Sequence, residues 1–152
     1  MKRMLAVCAM LCLPLSALAA ESYTVLFKTQ GTFQDVRDSL QMAIEGKGLK
    51  ITNTNKIAAM LERTGKDIGA TRQVYGDAEQ FEFCSATISR RMMEADPHAI
   101  MMCPYSVAVY TIPGDKAVYM AYRKPAATKN PALKKALGEV ETLLTEIIKD
   151  AM

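Results

Sequence analysis

Residues 81–110 read FEFCSATISRRMMEADPHAIMMCPYSVAVY. Phe81 and Phe83 share one face of a short run, the period of a strand with one side buried. Ser85 then has the chemistry of a helix N-cap. Ile88, Met92 and Ala95 recur at helical spacing as far as about Ala95. Asp96-Pro97 stops that helix, because the residue ahead of a proline is pushed out of the helical region. Pro104 opens a second strand, where its missing N–H does least harm, with Val107 and Val109 as the inward pair. The same stretch gathers two Met pairs, the chain's one histidine and a cysteine, so it raises a chemical question as well as a structural one.

Working outward, Pro113-Gly114-Asp115 is a turn and Ala117–Arg123 pairs back as a hairpin. A polar linker, 124–129, leads to Asn130-Pro131, a cap followed by proline at the first helical position. Leu133, Leu137, Val140, Leu144 and Ile147 then form an apolar stripe on a long C-terminal helix. Upstream, Tyr23–Thr29 alternates as a first strand. Thr32 caps a helix whose stripe is Phe33, Val36, Leu40, Ala43 and Ile44, and Gly48 ends it. Leu49 and Ile51 start a short second strand. Residues 55–63 read as helix and 64–76 as loop. Five strands and four helices that do not alternate strictly predict an α+β fold: a mainly antiparallel sheet with helices packed on one face.

The first residues differ from the rest. Lys2 and Arg3 precede an apolar run, Leu5–Leu15, and Ser16-Ala17-Leu18-Ala19 supplies small residues where a signal peptidase reads. That is the pattern of a Sec signal, with cleavage favoured after Ala19. The run is too short to span a bilayer, which takes about 20 residues. A lipoprotein is disfavoured, because Ala9-Met10-Leu11 puts no small residue just ahead of Cys12. The expected organisation is a leader, 1–19, and a single domain, 20–152. The expected address is the periplasm or the outside of the cell, with no stable membrane span after cleavage. Loss of Lys2 and Arg3 lowers the net charge from +3 to +1. A balance that close to neutral excludes a nucleic-acid partner. Cys8 and Cys12 also leave, so the mature chain keeps Cys84 and Cys103 in a compartment that permits disulfides.

The words around 81–110 carry a family resemblance. Cys84 with Ser85 and Ala86, Asp96-Pro97, and Met101-Met102-Cys103-Pro104-Tyr105 ahead of Val107 and Val109 resemble the domain of unknown function 302 family, over about 23–123. That family shows Cys-Asn-Pro, an Asp-Pro break and Leu-Pro-Cys at these places. Here Ser85-Ala86 replaces Asn-Pro, and Tyr105 stands where the second family cysteine falls, Cys103 preceding the proline instead. The resemblance implies a TATA-binding-protein-like α+β fold, with a curved sheet and a long C-terminal helix across it. It implies no established activity, and the fold label carries no DNA binding.

Two constellations hold chemistry. Cys84 ends one strand and Cys103 precedes the next, so the two sulfurs can lie within bonding reach. A disulfide, two separate buried thiols and a reactive pair all remain open at this stage. No Cys-x-x-Cys motif supports an oxidoreductase. The second set, Cys84, His98, Met102 and Cys103, offers the soft donors that select Cu(I). Against it stands core packing, since flexible thioethers fill irregular gaps in a chain without Trp. Catalytic patterns are missing: one histidine, no Gly-x-Ser-x-Gly, no His-Glu-x-x-His, and a Gly65-Lys66-Asp67 that lacks the rest of a phosphate loop. Arg90-Arg91 and Arg123-Lys124 read as solvated faces.

The chain is therefore expected to be a small exported binding or accessory domain rather than an enzyme, with no cofactor. Its expected ligand pocket, between sheet and long helix, is lined by Phe81, Phe83, Val107, Met120 and Tyr122. The alternatives are a periplasmic Cu(I) or thiol-redox protein using Cys84, Cys103 and nearby Met and His, and a partner-binding subunit. The last would dock through a sheet edge or a Tyr-rich hairpin bearing Tyr105, Tyr110, Tyr119 and Tyr122.

Overall fold

Hydrogen-bonding side chains start three of the four helices where the sequence places them. The Thr32 hydroxyl accepts from the Asp35 N–H, and the Ser85 hydroxyl from the Ile88 N–H. Asn130 accepts from the N–H groups of both Ala132 and Leu133, and its own amide donates to the Ala95 carbonyl. The bonds accepted from N–H groups satisfy donors that a helix start leaves orphaned, and the one to Ala95 satisfies a carbonyl at a helix end. In a computed structural model, which describes residues 23–152, the order is β1 (Thr24–Thr29), α1 (Phe33–Gly46), β2 (Ile51–Lys56), α2 (Ile57–Asp67), β3 (Ala78–Phe83), α3 (Ala86–Ala95), a 3-10 turn (Pro97–Met102), β4 (Tyr105–Thr111), β5 (Val118–Arg123) and α4 (Pro131–Asp150). The expected leader and its cleavage site lie outside the described residues.

The strands form one five-stranded sheet in the order β1-β5-β4-β3-β2, and every pairing is antiparallel. The chain is α+β, as its pattern predicts. Strand alternation divides the sheet into two unlike faces. Inward stand Phe81 and Phe83 from β3, Val107 and Val109 from β4, and Val118, Met120 and Tyr122 from β5, all buried. Helices α1, α3 and α4 cover that face, and their buried stripes include Leu40 and Ile44, Met92, and Leu144, Ile147 and Ile148. Arg37 on α1 ties the layer to β3: its guanidinium donates to Glu79 at 3.0 Å and lies 5.4 Å from the centre of the Phe81 ring.

Three local readings change. Strand β2 runs on to Lys56, because Asn53 and Asn55 donate across to Glu82 and hold an extended backbone that the apolar pattern does not show. Helix α2 accordingly starts at Ile57 and continues to Asp67; it buries none of its residues fully. After Asp96 the chain enters the 3-10 turn instead of running straight to a strand. The Asp96 carboxylate accepts from the His98 N–H, and Pro97 sets the first turn position.

Candidate functional site

Helices α1, α3 and α4 all pack on one side of the sheet, so the opposite side faces outward. The strand register turns it into a lattice. One row runs Leu26, Ala121, Ala108, Gln80 across β1, β5, β4 and β3. The row toward one end carries Arg123 and Ser106, and the row toward the other carries Tyr119, Tyr110 and Ala78. The middle of the face is thus floored by Ala121 and Ala108, whose side chains stop one carbon above the backbone. Larger groups stand around them: Leu26 on one flank, Ile57 at the start of α2, and Tyr75 from the loop after α2. The result is a groove of about 550 Å³, within the size range of small-molecule sites.

Its aromatic wall is ordered by ring contacts. Tyr110 stacks on Tyr119 with centroids 5.4 Å apart and planes 16° from parallel, and meets Tyr75 edge to face at 5.4 Å. Tyr119 donates its hydroxyl to Asp115, and Lys28 reaches the same carboxylate at 3.4 Å. The Tyr119 bond, then the Ala117 N–H and Lys28, hold the Asp115 carboxyl down at about 2. Burial, with its tyrosine neighbours, pushes the Tyr110 hydroxyl up, so it stays neutral and able to donate. Across the groove, the Arg123 guanidinium is exposed and forms no ion pair among the described residues. The carboxylate nearest to it in the lattice, Glu82, is occupied by Asn55 at 2.8 Å and Asn53 at 3.4 Å.

The family model for a domain of unknown function, DUF302, matches residues 25–151, nearly the whole described chain. The chain belongs to the DUF302 family. Its fold also matches the crystal structure of an uncharacterized conserved DUF302 protein from Bacillus stearothermophilus, with a TM-score of 0.72 at 14% identity, covering 86% of this chain and 98% of that one. At that identity the likeness speaks for the fold alone. No curated protein matches.

In this DUF302 domain the residues singled out from sequence fall in three places. Phe81, Phe83, Val107, Met120 and Tyr122 do not line a cavity under the long helix; their side chains are packed into the closed core, at 0–3% exposure. The correction has a simple cause. Inward alternation identifies buried positions, and α4 with its neighbours fills the space above them. Tyr105 and Tyr122 are spent in the same core: Tyr122 shares a 2.7 Å hydrogen bond with Thr145 on α4, and Tyr105 one of 2.9 Å with Ser89 on α3. Of the tyrosine set, Tyr110 and Tyr122 border the groove, and Tyr119 joins them only through its stacking on Tyr110.

Cys84 and Cys103 are joined in a disulfide, with Cα atoms 6.3 Å apart. It closes the end of β3 onto the start of β4 across α3 and the 3-10 turn. As a disulfide the sulfurs are no longer thiolates, so the soft donor set loses its two strongest ligands. His98 is exposed on the turn, Met101 is exposed and Met102 half-buried. Among the described residues no three His, Cys, Asp or Glu side chains converge. The groove itself escaped sequence reading. Ala108, Ala121 and Ser106 are small residues on the polar side of their strands, and nothing in a linear pattern marks them as neighbours.

Proposed function

We propose that this DUF302 domain is an exported small-molecule binding domain whose seat is the outer face of the sheet. The observation that carries it is the Ala121–Ala108 cross-strand pair lying at the floor of a groove with Tyr75, Tyr110 and Leu26 around it. Small side chains at the centre of a sheet face leave room, and rings at the margin offer flat apolar contact with little entropy to lose. Export is supported by the leader pattern and by a disulfide of the kind that persists outside the cytosol. A flat, mostly apolar molecule of one or two rings fits the groove's size.

The test uses the neutral probe 2-naphthamide, titrated into the isotopically labelled mature protein. Amide shifts confined to Ala108, Ala121, Tyr110 and Ala78 are the expected result. An Ala108→Phe variant, which fills the floor, should lose them while keeping its melting temperature. Shifts on α1, α3 or α4, or binding unchanged by Ala108→Phe, would refute the assignment.

A further inference from the structure

The groove has an electrical direction. At one end stand the guanidinium of Arg123 and the hydroxyl of Ser106, neighbours when the β4–β5 register is continued by one residue. Neither side chain has a partner among the described residues. At the other end are Tyr110 and Tyr75. Carboxylates near the groove are already engaged: Glu82 by the two asparagines, Asp115 by Tyr119 and Lys28, and Glu79 by Arg37 on the far side of the sheet.

We propose that the groove recognises an aromatic monocarboxylate, with Arg123 and Ser106 on the carboxylate and the Tyr75–Tyr110 pair against the ring. The inference rests on the groove being the ligand seat, and names what that seat selects. A guanidinium presents a planar fork of N–H donors that matches a carboxylate in two places at once, and the serine hydroxyl adds a third donor. Spacing agrees. Outward-facing residues along a strand repeat at about 7 Å, so Ser106 to Tyr110 along β4 spans about 13 Å with Ala108 between. An acid of one or two fused rings lies along that line with its charge at one end. A phosphate fits less well. One guanidinium leaves much of its second charge uncompensated. A cationic ligand would meet Arg123 unopposed.

The experiment compares 2-naphthoate with its neutral isostere 2-naphthamide by calorimetry, on the mature protein, at neutral pH and low salt. Wild type should favour the acid by about tenfold, the scale of a hydrogen bond to a charged group. Arg123→Gln should cut that preference to below about threefold by weakening the acid more than the amide, and should leave the melting temperature unchanged, since the side chain is exposed and holds nothing else in place. Equal affinity for the two probes in wild type, or a preference that survives Arg123→Gln, overturns the carboxylate assignment and leaves the groove intact as a seat. Failure of both probes to bind overturns the seat itself, and the inference with it.

Discussion

Thr111 shows how closely single atoms are committed beside the groove. Its hydroxyl oxygen accepts from the Asp77 N–H at 2.9 Å, and its carbonyl accepts from the Gly76 N–H at 3.1 Å. A Cβ added at Gly76 would stand 2.7 Å from that hydroxyl. The hydroxyl cannot swing away without giving up Asp77, so Gly76→Ala should destabilise the fold by about 1–2 kcal/mol, the scale of an overpacked contact. In a Thr111→Ala background the added cost should shrink, because the clashing atom is gone. Denaturant melts of the four proteins measure this, and strict additivity would refute it. Asp115 predicts a pH effect. Its carboxyl is depressed to about 2 by Tyr119 first and Lys28 last, so its contribution is present above the ordinary carboxylate range and is lost as pH falls toward 2. Asp115→Asn should flatten that acid limb. An unchanged slope of melting temperature against pH between 4 and 2 would contradict the assignment. The alternation of β4 and β5 was legible from single residues, because burial repeats every second position. Gly76 was not, since its need for space depends on a strand more than thirty positions away.

Elements differ in how much local signal they carry. Helix α4 has a complete one: Asn130 as cap, Pro131 inside it, and a stripe from Leu133 to Ile147 that is buried as its spacing predicts. Helix α2 shows the reverse. It has no side-chain cap bond and buries no residue fully, so its limits were set by β2, whose asparagines hold on to β3. The segment between β3 and β4 depends on the Cys84–Cys103 bond, which joins positions at a sequence separation of 19. Closing a loop of that length stabilises the fold by about 3 kcal/mol in the chain-entropy model. Reduction, or a Cys84→Ala and Cys103→Ala pair, should lower the unfolding free energy by about that amount. The intact oxidised protein should gain about 2 Da on reduction. An oxidised preparation with the same mass and the same stability after reduction would show that the bond is not made. Sequence spacing allowed the pair to meet but left free thiols as an open alternative, because nothing local reports the distance between two strand ends.

Across the whole molecule, the two faces of one sheet are unlike. The inner face is closed by three helices, and the outer face keeps a small-floored groove with a cation at one end. If the leader acts as proposed, full-length chain expressed in a Gram-negative host should appear in the periplasmic fraction with a mass beginning at Ala20. Recovery only as uncleaved cytosolic chain would sink the export proposal. The sequence by itself determined the fold class, the strand and helix order along 81–123, the C-terminal helix and the inward face, because each follows from periods of two or 3.6 residues and from caps that act within a few positions. Only the tertiary structure decided where open space lies. The expected pocket at Phe81, Phe83, Val107, Met120 and Tyr122 became packed core once α1, α3 and α4 closed over it. The groove arose from Ala108, Ala121, Ser106 and Arg123, which are brought side by side by cross-strand register alone. Periodicity tells which side chains leave water, but free space is fixed by what stands opposite them, and that is a property of the assembled layers.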